Sequence, residues 1–352
     1  MATVFDVLVD SKKLPAGSIV AFVVDLDLNQ PGMCVVTLRN IDPEQNNSFK
    51  LGTTVEVNFD SGQSGNSQTT IKMFKGELVG IEPSYAQGGE RTLSLRAFDK
   101  LHRLQRVRRS AVYENQTDQD IASAIASRHQ LSALCGSTPK IKHEHIYQPN
   151  QTDLEFLLVR ADRIGYSVWC EDTKLYFDAL KLGADSGLHF VYGRKGKDTL
   201  ELVSFAARLS NALVVKKVIV RGWNSETKKE FVGEANAKRS PLGSSIAASS
   251  LGDFDAVTTY NVDHPIFSVE EATALANARL AESALSFLTA EAEAMGNTGV
   301  KPGIVVKVTV NEANANDRFN GKYLVQGCTH RYVVEKTAAY TTTMRLARNA
   351  EK

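Results

Sequence analysis

Leu51-Gly52-Thr53-Thr54-Val55-Glu56-Val57, Phe74-Lys75-Gly76-Glu77-Leu78-Val79-Gly80-Ile81 and Thr92-Leu93-Ser94-Leu95-Arg96-Ala97-Phe98-Asp99 follow one another near the start of the chain. The order recurs near its end: Pro302-Gly303-Ile304-Val305-Val306-Lys307-Val308, then Phe319-Asn320-Gly321-Lys322-Tyr323-Leu324-Val325, then Thr342-Thr343-Met344-Arg345-Leu346-Ala347-Arg348-Asn349. Each copy is a Gly-led strand, a Phe-x-Gly strand and an alternating strand that closes on Arg-x-x-polar. Gly52, Gly76 and Arg96 are 24 and 20 residues apart, and Gly303, Gly321 and Arg345 are 18 and 24 apart. Short strand patterns recur by chance in β-rich chains, but three in one order at similar spacing favour a small β-barrel written twice. Two similar barrels per chain allow a ring with twice as many blocks as chains.

At 352 residues the chain exceeds what one hydrophobic core normally serves, so about two to four domains are expected. With 41 basic and 40 acidic residues it carries no global commitment to nucleic acid or to an anionic membrane. The densest basic run, Arg103, Arg106, Arg108 and Arg109, reads first as a solvated linker and second as a partner contact. Met1-Ala2-Thr3-Val4-Phe5-Asp6 lacks the basic start and apolar core of a signal peptide, and no stretch reaches the ~18 apolar residues of a membrane span. The expectation is synthesis in a cytoplasm, with no membrane insertion by this chain. Cys34, Cys135, Cys170 and Cys328 are scattered, with no Cys-x-x-Cys pair, and read as small buried hydrophobes.

The first hundred residues are β throughout. Ser18 to Leu26 and Gly32 to Leu38 are β-branched runs around the turn Asn29-Gln30-Pro31-Gly32, and Asp60 to Gln68 and Tyr85 to Glu90 read as hairpin tips. The period then changes. Thr117-Asp118-Gln119-Asp120 and Thr152-Asp153-Leu154-Glu155 open helices with capping-box spacing, and the second stops at Gly165. Tyr166 to Glu171 and Lys174 to Phe177 form a hairpin around Asp172-Thr173. Leu200 to Phe205 and Val214 to Val220 read as strands, and Gly233 to Gly252, rich in Ala, Ser and Gly, as a loose loop. Ser268-Val269-Glu270-Glu271 opens the longest helix by a third capping box, with Ala272, Leu275, Ala276, Leu280, Ala284 and Leu288 down one side.

Tyr147-Gln148-Pro149-Asn150-Gln151-Thr152-Asp153-Leu154-Glu155-Phe156-Leu157 to Arg160, then Arg163-Ile164-Gly165-Tyr166-Ser167-Val168 and Leu175-Tyr176-Phe177, resembles the signature of the phage late control D family, which includes the tail hub proteins of contractile phages and the N-terminal hub region of VgrG proteins. Phe74-Lys75-Gly76 with Phe98-Asp99, Val220-Arg221-Gly222-Trp223, Gly299, Pro302-Gly303, Phe319 to Tyr323 and His330 also match, so the resemblance covers almost the whole chain. It implies a structural baseplate hub: a homotrimer whose two barrels per chain make a pseudo-six-fold ring that adapts a hexameric tail-tube or tube-initiator protein to a three-fold spike, alongside other baseplate proteins. VgrG-type chains continue into an oligonucleotide-fold domain and a spike, whereas this one ends at Lys352, so the resemblance implies a separate spike protein.

The expected fold is mainly β with α/β insertions (α+β). It comprises a first hub β-barrel over 1–105, an α/β module over 106–185 with helices near 118–130 and 153–164, and a second hub barrel from 186–225 and 295–349. An insertion over 226–294 carries a long helix at 269–290, which the resemblance places within the second barrel.

Catalytic chemistry is sparse. His143-Glu144-His145 puts two imidazoles on one side of a strand, without a third ligand nearby in sequence, and surface or core placement is favoured over metal binding. His129 fits a helix end, and His330 a packed hydrogen-bonding role. Glu155 and Asp162 suit capping and solvated faces rather than a glycosidase pair. No nucleophile elbow, Walker loop or Rossmann fingerprint occurs. The reading is therefore no enzyme, with no catalytic, cofactor-binding or metal residue assigned and no cofactor. The alternatives are a tail-associated cell-wall hydrolase and a carbohydrate-binding tail component using Trp169 or Trp223, although either Trp is more often a core residue.

Overall fold

The computed structural model describes residues 4–39, 47–64, 67–87, 91–137, 139–194, 196–224, 227–252, 258–261, 265–334 and 338–351. Met1 to Thr3, and Gly65, Asn66, Gly88, Gly89 and Glu90 of the two expected hairpin tips, lie outside the described residues.

Strands β1 (Val4–Val9), β2 (Ile19–Asp27), β3 (Met33–Arg39), β4 (Thr54–Ser64), β5 (Ser67–Tyr85) and β6 (Arg91–Phe98) hydrogen-bond in the order β1-β4-β5-β6-β3-β2. Period-two alternation sends Cys34, Val36 and Leu38 of β3, and Leu93, Leu95 and Ala97 of β6, into one core. Next come β7 (Arg108–Thr117), α1 (Asp118–Arg128), β8 (Ser132–Cys135), β9 (Lys142–Thr152), α2 (Asp153–Ile164), β10 (Ser167–Glu171) and β11 (Lys174–Asp178). This α/β unit has its own core, which includes Ile121, Leu157 and Phe177. Both helix starts carry the full capping box, and Gly165 caps α2 in the left-handed region at φ 70°.

The remainder comprises β12 (Asp185–Tyr192), β13 (Leu200–Leu209), β14 (Lys217–Asn224), β15 (Lys229–Asn236), β16 (Thr258–Asn261), α3 (Val269–Leu285), β17 (Leu288–Met295), β18 (Val305–Thr309), β19 (Gly321–Val334) and β20 (Ala338–Arg348). Strands β12-β13-β17-β20-β19-β18 close on themselves, because β18 pairs with β12 and β19 with β20, giving a six-stranded barrel. Strands β15-β14-β16 form a separate sheet, whose Val218 and Val220 pack against Leu275 and Ala276 of α3.

The internal echo extends to hydrogen-bond register. Gly52 (φ 85°) and Gly303 (φ 86°) make the same turn. Gly52 N–H donates to the Leu78 carbonyl and Leu78 N–H to that of Thr53; Gly303 N–H donates to the Val325 carbonyl and Val325 N–H to that of Ile304. A β-bulge follows in each copy, between Leu78 and Gly80 opposite Ala97 and Arg96, and between Val325 and Gly327 opposite Leu346 and Arg345. One marker needs correction. Val55 opposes Gly76 while Val306 opposes Tyr323, so Gly76 matches Tyr323 and not Gly321; the shared glycines of that strand are Gly80 and Gly327. The two Phe-x-Gly motifs coincide for unrelated steric reasons. A Cβ at Gly76 would lie 2.3 Å from the Phe98 carbonyl oxygen, and one at Gly321 would lie 2.7 Å from the Arg348 guanidinium.

The copies also differ. No β1–β2 ladder closes the first group among the described residues; β2 pairs instead with β19, from Asp27↔Gly327 to Ala21↔Val333. The outer end of the β19–β20 hairpin thus enters the first core, where Phe5 meets Phe22 at 4.9 Å, Tyr332 at 4.9 Å and Tyr340 at 5.0 Å.

Three local expectations fail. The helix expected over 269–290 ends at Leu285, and Leu288 begins β17, where Leu288, Ala290, Ala292 and Ala294 alternate inward with the period of a strand. The expected third capping box is half formed: Ser268 accepts from Glu271 N–H, but the Glu271 carboxylate takes the N–H of Phe267 and an arginine instead. The 233–252 stretch is not loose. Strand β15 runs through it to Asn236, and Ala247, Ala248 and Leu251 are buried against the second barrel. Ser249 and Ser250 tie that turn by donating to the carbonyls of Ile246 and Ala247.

Candidate functional site

The Gln148 to Gly165 segment builds a polar node. Gln148 is fully buried; its Nε2 donates to the Gln151 carbonyl (3.0 Å) and to Asp153 Oδ1 (3.1 Å), and its Oε1 accepts from Tyr113 Oη (3.1 Å). Asp153, in the first turn of α2, receives both bonds of Arg128 Nη1 (2.9 and 3.0 Å) and a contact from His129 Nε2 (2.8 Å), with Arg109 Nε at 3.4 Å. Burial by itself would raise the Asp153 carboxyl, but hydrogen bonds from His129, Gln148 and Arg128 outweigh it and hold it down at about 2. Phe156 stacks on Tyr113 at 5.5 Å. Arg160 Nε donates to Asp118 Oδ1 (2.6 Å), and its Nη2 reaches His143 Nε2 (2.9 Å), which also lies 3.3 Å from Asp118 Oδ2. The residues of the motif are thus occupied in holding α1, α2 and β9 together.

The other candidates are similarly committed. Arg103 forks onto Glu77 of β5, Arg106 reaches His102, Arg108 binds Glu155 and the Asn150 carbonyl, and Arg109 faces Asp153. The run expected as solvated linker is instead spent on intramolecular contacts, including one that ties the first strand group to the α/β unit. His143 is buried while His145 is exposed, so the pair does not converge, and among the described residues no group of three or more His, Cys, Asp or Glu could hold a metal ion. His330 is buried; its Nε2 lies 3.0 Å from the Val300 carbonyl and its Nδ1 2.8 Å from Tyr340 Oη. Burial drives its pKa down to about 4, against the hydrogen bond to Val300. Glu155 caps α2, and Asp162 pairs with Arg279. Cys34, Cys170 and Cys328 are buried and Cys135 is half-buried; all four are free thiols, and burial pushes each of them up.

A cleft of about 340 Å³ lies where the first strand group, the β10–β11 hairpin and the Lys301-Pro302 turn meet. Trp169 and Tyr176 form a wall, stacked at 4.7 Å and 6°. Asp172, at the hairpin tip, anchors to Lys75 (3.3 Å) and Lys72 (3.5 Å) of β5. Asp99 is buried at its base, accepting N–H bonds from Gly32 and Leu101; burial, only partly offset by those two bonds, pushes its carboxyl up to about 7. Trp169 is half-buried, whereas Trp223 is 62% exposed on β14, contrary to the expectation of a core residue. The cleft is not legible in sequence, because its lining comes from segments 276 residues apart, from Leu26 to Pro302, and of that lining the sequence offers only Trp169 as a candidate binding residue.

The family model described as the Alg8 N-terminal domain matches residues 2–334. The chain belongs to that family. The matching model is not that of the late control D family, so the motif resemblance is not what the family match rests on. No curated protein matches this Alg8 N-terminal domain chain. Among solved structures, it is similar to the 43 kDa tail protein of prophage MuSo2 from Shewanella oneidensis (TM-score 0.71, 14% identity, 100% of each chain covered). It is also similar to a tail protein from Neisseria meningitidis MC58 (TM-score 0.71, 16% identity, 99% of this chain and 97% of that one). A third likeness is to the c3393 protein of E. coli (TM-score 0.60, 15% identity, 97% and 76%). That protein is described as a type VI secretion system component structurally similar to the T4 bacteriophage tail proteins gp27 and gp5. At these identities the likenesses establish the fold: a mainly β tail-protein architecture containing a closed six-stranded barrel. Among the described residues no helix is long and apolar enough to cross a membrane.

Proposed function

We propose that the chain is a structural hub of a contractile tail or injection machine, a homotrimer whose six barrel-like blocks form a pseudo-six-fold ring between a hexameric tube and a three-fold spike. The observation that carries this is the matched register of the two strand groups, down to the Gly52 and Gly303 turns and the bulges at Gly80 and Gly327. Six like blocks can meet a six-fold neighbour on one face while three chains present three-fold features on the other. The tail-protein fold supports the reading, and so does the use of the Gln148 to Gly165 residues in internal bracing, which suits a part whose role is geometry. The late control D resemblance belongs to the same proposal, as do a separate spike chain, contacts with other baseplate proteins, the absence of turnover, the domain limits and synthesis in a cytoplasm.

Negative-stain images of the purified full chain test it. Three-fold particles with six peripheral blocks are the expected outcome; particles with another symmetry would reject the ring.

A further inference from the structure

Strands β2 and β13 are equivalent, bulge included. The β-bulge lies between Ile19 and Ala21 opposite β3, and between Leu202 and Ser204 opposite β17; just past it Phe22 opposes Val36, as Phe205 opposes Ala292. The next strands keep the register, because Val35 of β3 opposes Arg96 and Glu291 of β17 opposes Arg345. With Gly80 equivalent to Gly327, β2 therefore corresponds to β13, and β5 to β19, rung by rung.

Inside the chain β2 pairs with β19, from Asp27↔Gly327 to Ala21↔Val333. The two remaining edges of the same kind are open. Strand β13 meets β12 only as far as Leu202, and β5 meets β4 only as far as Glu77, so Ser204 to Leu209 and Gly80 to Tyr85 each have one edge without a ladder among the described residues. Open edges of that length are templates for another strand.

The rungs of the β2–β19 seam, carried over to these edges, match in chemistry. Tyr332 opposes Phe22 and stacks on it at 5.1 Å; the equivalent rung sets Tyr85, 68% exposed, opposite Phe205. Thr329 opposes Asp25 and donates its hydroxyl to that carboxylate at 2.9 Å; the equivalent rung sets Glu82 opposite Arg208, which is exposed and has no ion-pair or hydrogen-bond partner among the described residues. Pro83 stands where His330 does and removes one donor, so this ladder is a bond shorter than its counterpart and relies more on its side chains.

We propose that β5 of one copy of this chain adds to β13 of the next, Tyr85 opposite Phe205 and Glu82 opposite Arg208, repeating between chains the seam that β2 and β19 make within each. The contact is head-to-tail. It gives the ring its interface and rests on that reading for closure at three copies.

Disulfide trapping tests the register in the full chain. Leu28 N–H donates to the Gln326 carbonyl, which makes Arg331↔Val23 a non-hydrogen-bonded rung, where side chains lie closest. Ser84 and Ala206, both exposed, hold the equivalent places, within reach of a disulfide once both are cysteine. Oxidising a mixture of the single variants Ser84→Cys and Ala206→Cys gives linked pairs and nothing longer, and the double variant gives three linked chains. The unaltered chain, whose own thiols are buried or half-buried, gives none. Independently, Arg208→Glu raises the concentration at which the assembly dissociates by about tenfold or more, and adding Glu82→Arg restores it. Three-chain particles that neither cross-link at these positions nor respond to the charge reversal would overturn the seam and leave the ring standing. Linked chains that grow into open filaments would keep the seam and reject the ring, and a chain that stays single at every concentration would overturn both.

Discussion

Arg163 of α2 and Glu271 of α3 meet at 2.7 Å in a site closed to solvent, joining helices 108 residues apart in the chain. The same Arg163 Nη2 donates to the Pro265 carbonyl (2.8 Å), and the other Glu271 oxygen takes Phe267 N–H (3.0 Å). The pair fastens the α/β unit to the helix that backs the β14–β15–β16 sheet. Removing one partner of a buried pair leaves the other charge uncompensated, at a cost of about 3–5 kcal/mol. Glu271→Ala therefore lowers the urea midpoint strongly, and the double variant Arg163→Met/Glu271→Leu recovers much of the loss. A single-variant cost below about 1 kcal/mol would refute this role.

His330 and Asp153 contribute acid sensitivity in two windows, while Asp99, held at about 7 against an ordinary 3.8, opposes His330 because its proton favours the folded state as pH falls through the upper window. His330 is held at about 4, below the ordinary 6.5, so its neutral ring favours the folded state fully above pH 6.5, and that contribution is lost as pH falls from 6.5 to about 4. Asp153 is held at about 2, below the ordinary 3.8, so its contribution is complete above about pH 4 and is lost between there and about pH 2. Thermal midpoints followed against pH check both. His330→Gln removes the His330 share of the upper window and leaves the opposite slope set by Asp99, and Asp153→Asn flattens the lower window; an unchanged slope in either variant would contradict the assignment.

Gly52 and Gly303 share φ near 85° with room for a methyl group at both, so replacement by Ala costs only the backbone conformation, about 1–2 kcal/mol at each. Gly233→Ala costs more, because its Cβ would lie 2.2 Å from the Ala272 backbone and would push α3 off the sheet. Denaturant midpoints of the three variants should rank in that order. Unequal losses at Gly52 and Gly303 would break their equivalence.

Much of this was legible in sequence where the signal is local. The Thr117 and Thr152 capping boxes, the Gly165 cap and the turn at Asp172-Thr173 are short-range chemistry, and each forms. The repeat was legible because strand alternation and the Gly52 and Gly303 turns survive in both copies, but its alignment failed at Gly76 and Gly321, since those glycines answer to Phe98 and Arg348, which lie elsewhere in the sequence. Leu288 to Ala290, the start of β17, continue the helical spacing of α3, and only tertiary pairing with β13 and β20 settles Leu288 to Met295 as a strand. The β2–β19 seam and the cleft arise from contacts across most of the chain, which no local pattern encodes.

The ring is the central claim, and the molar mass of the purified full chain by light scattering tests it most directly. Three times the 38.5 kDa chain mass, unchanged over a wide range of concentration, is the predicted result. A mass of one chain throughout that range would contradict it.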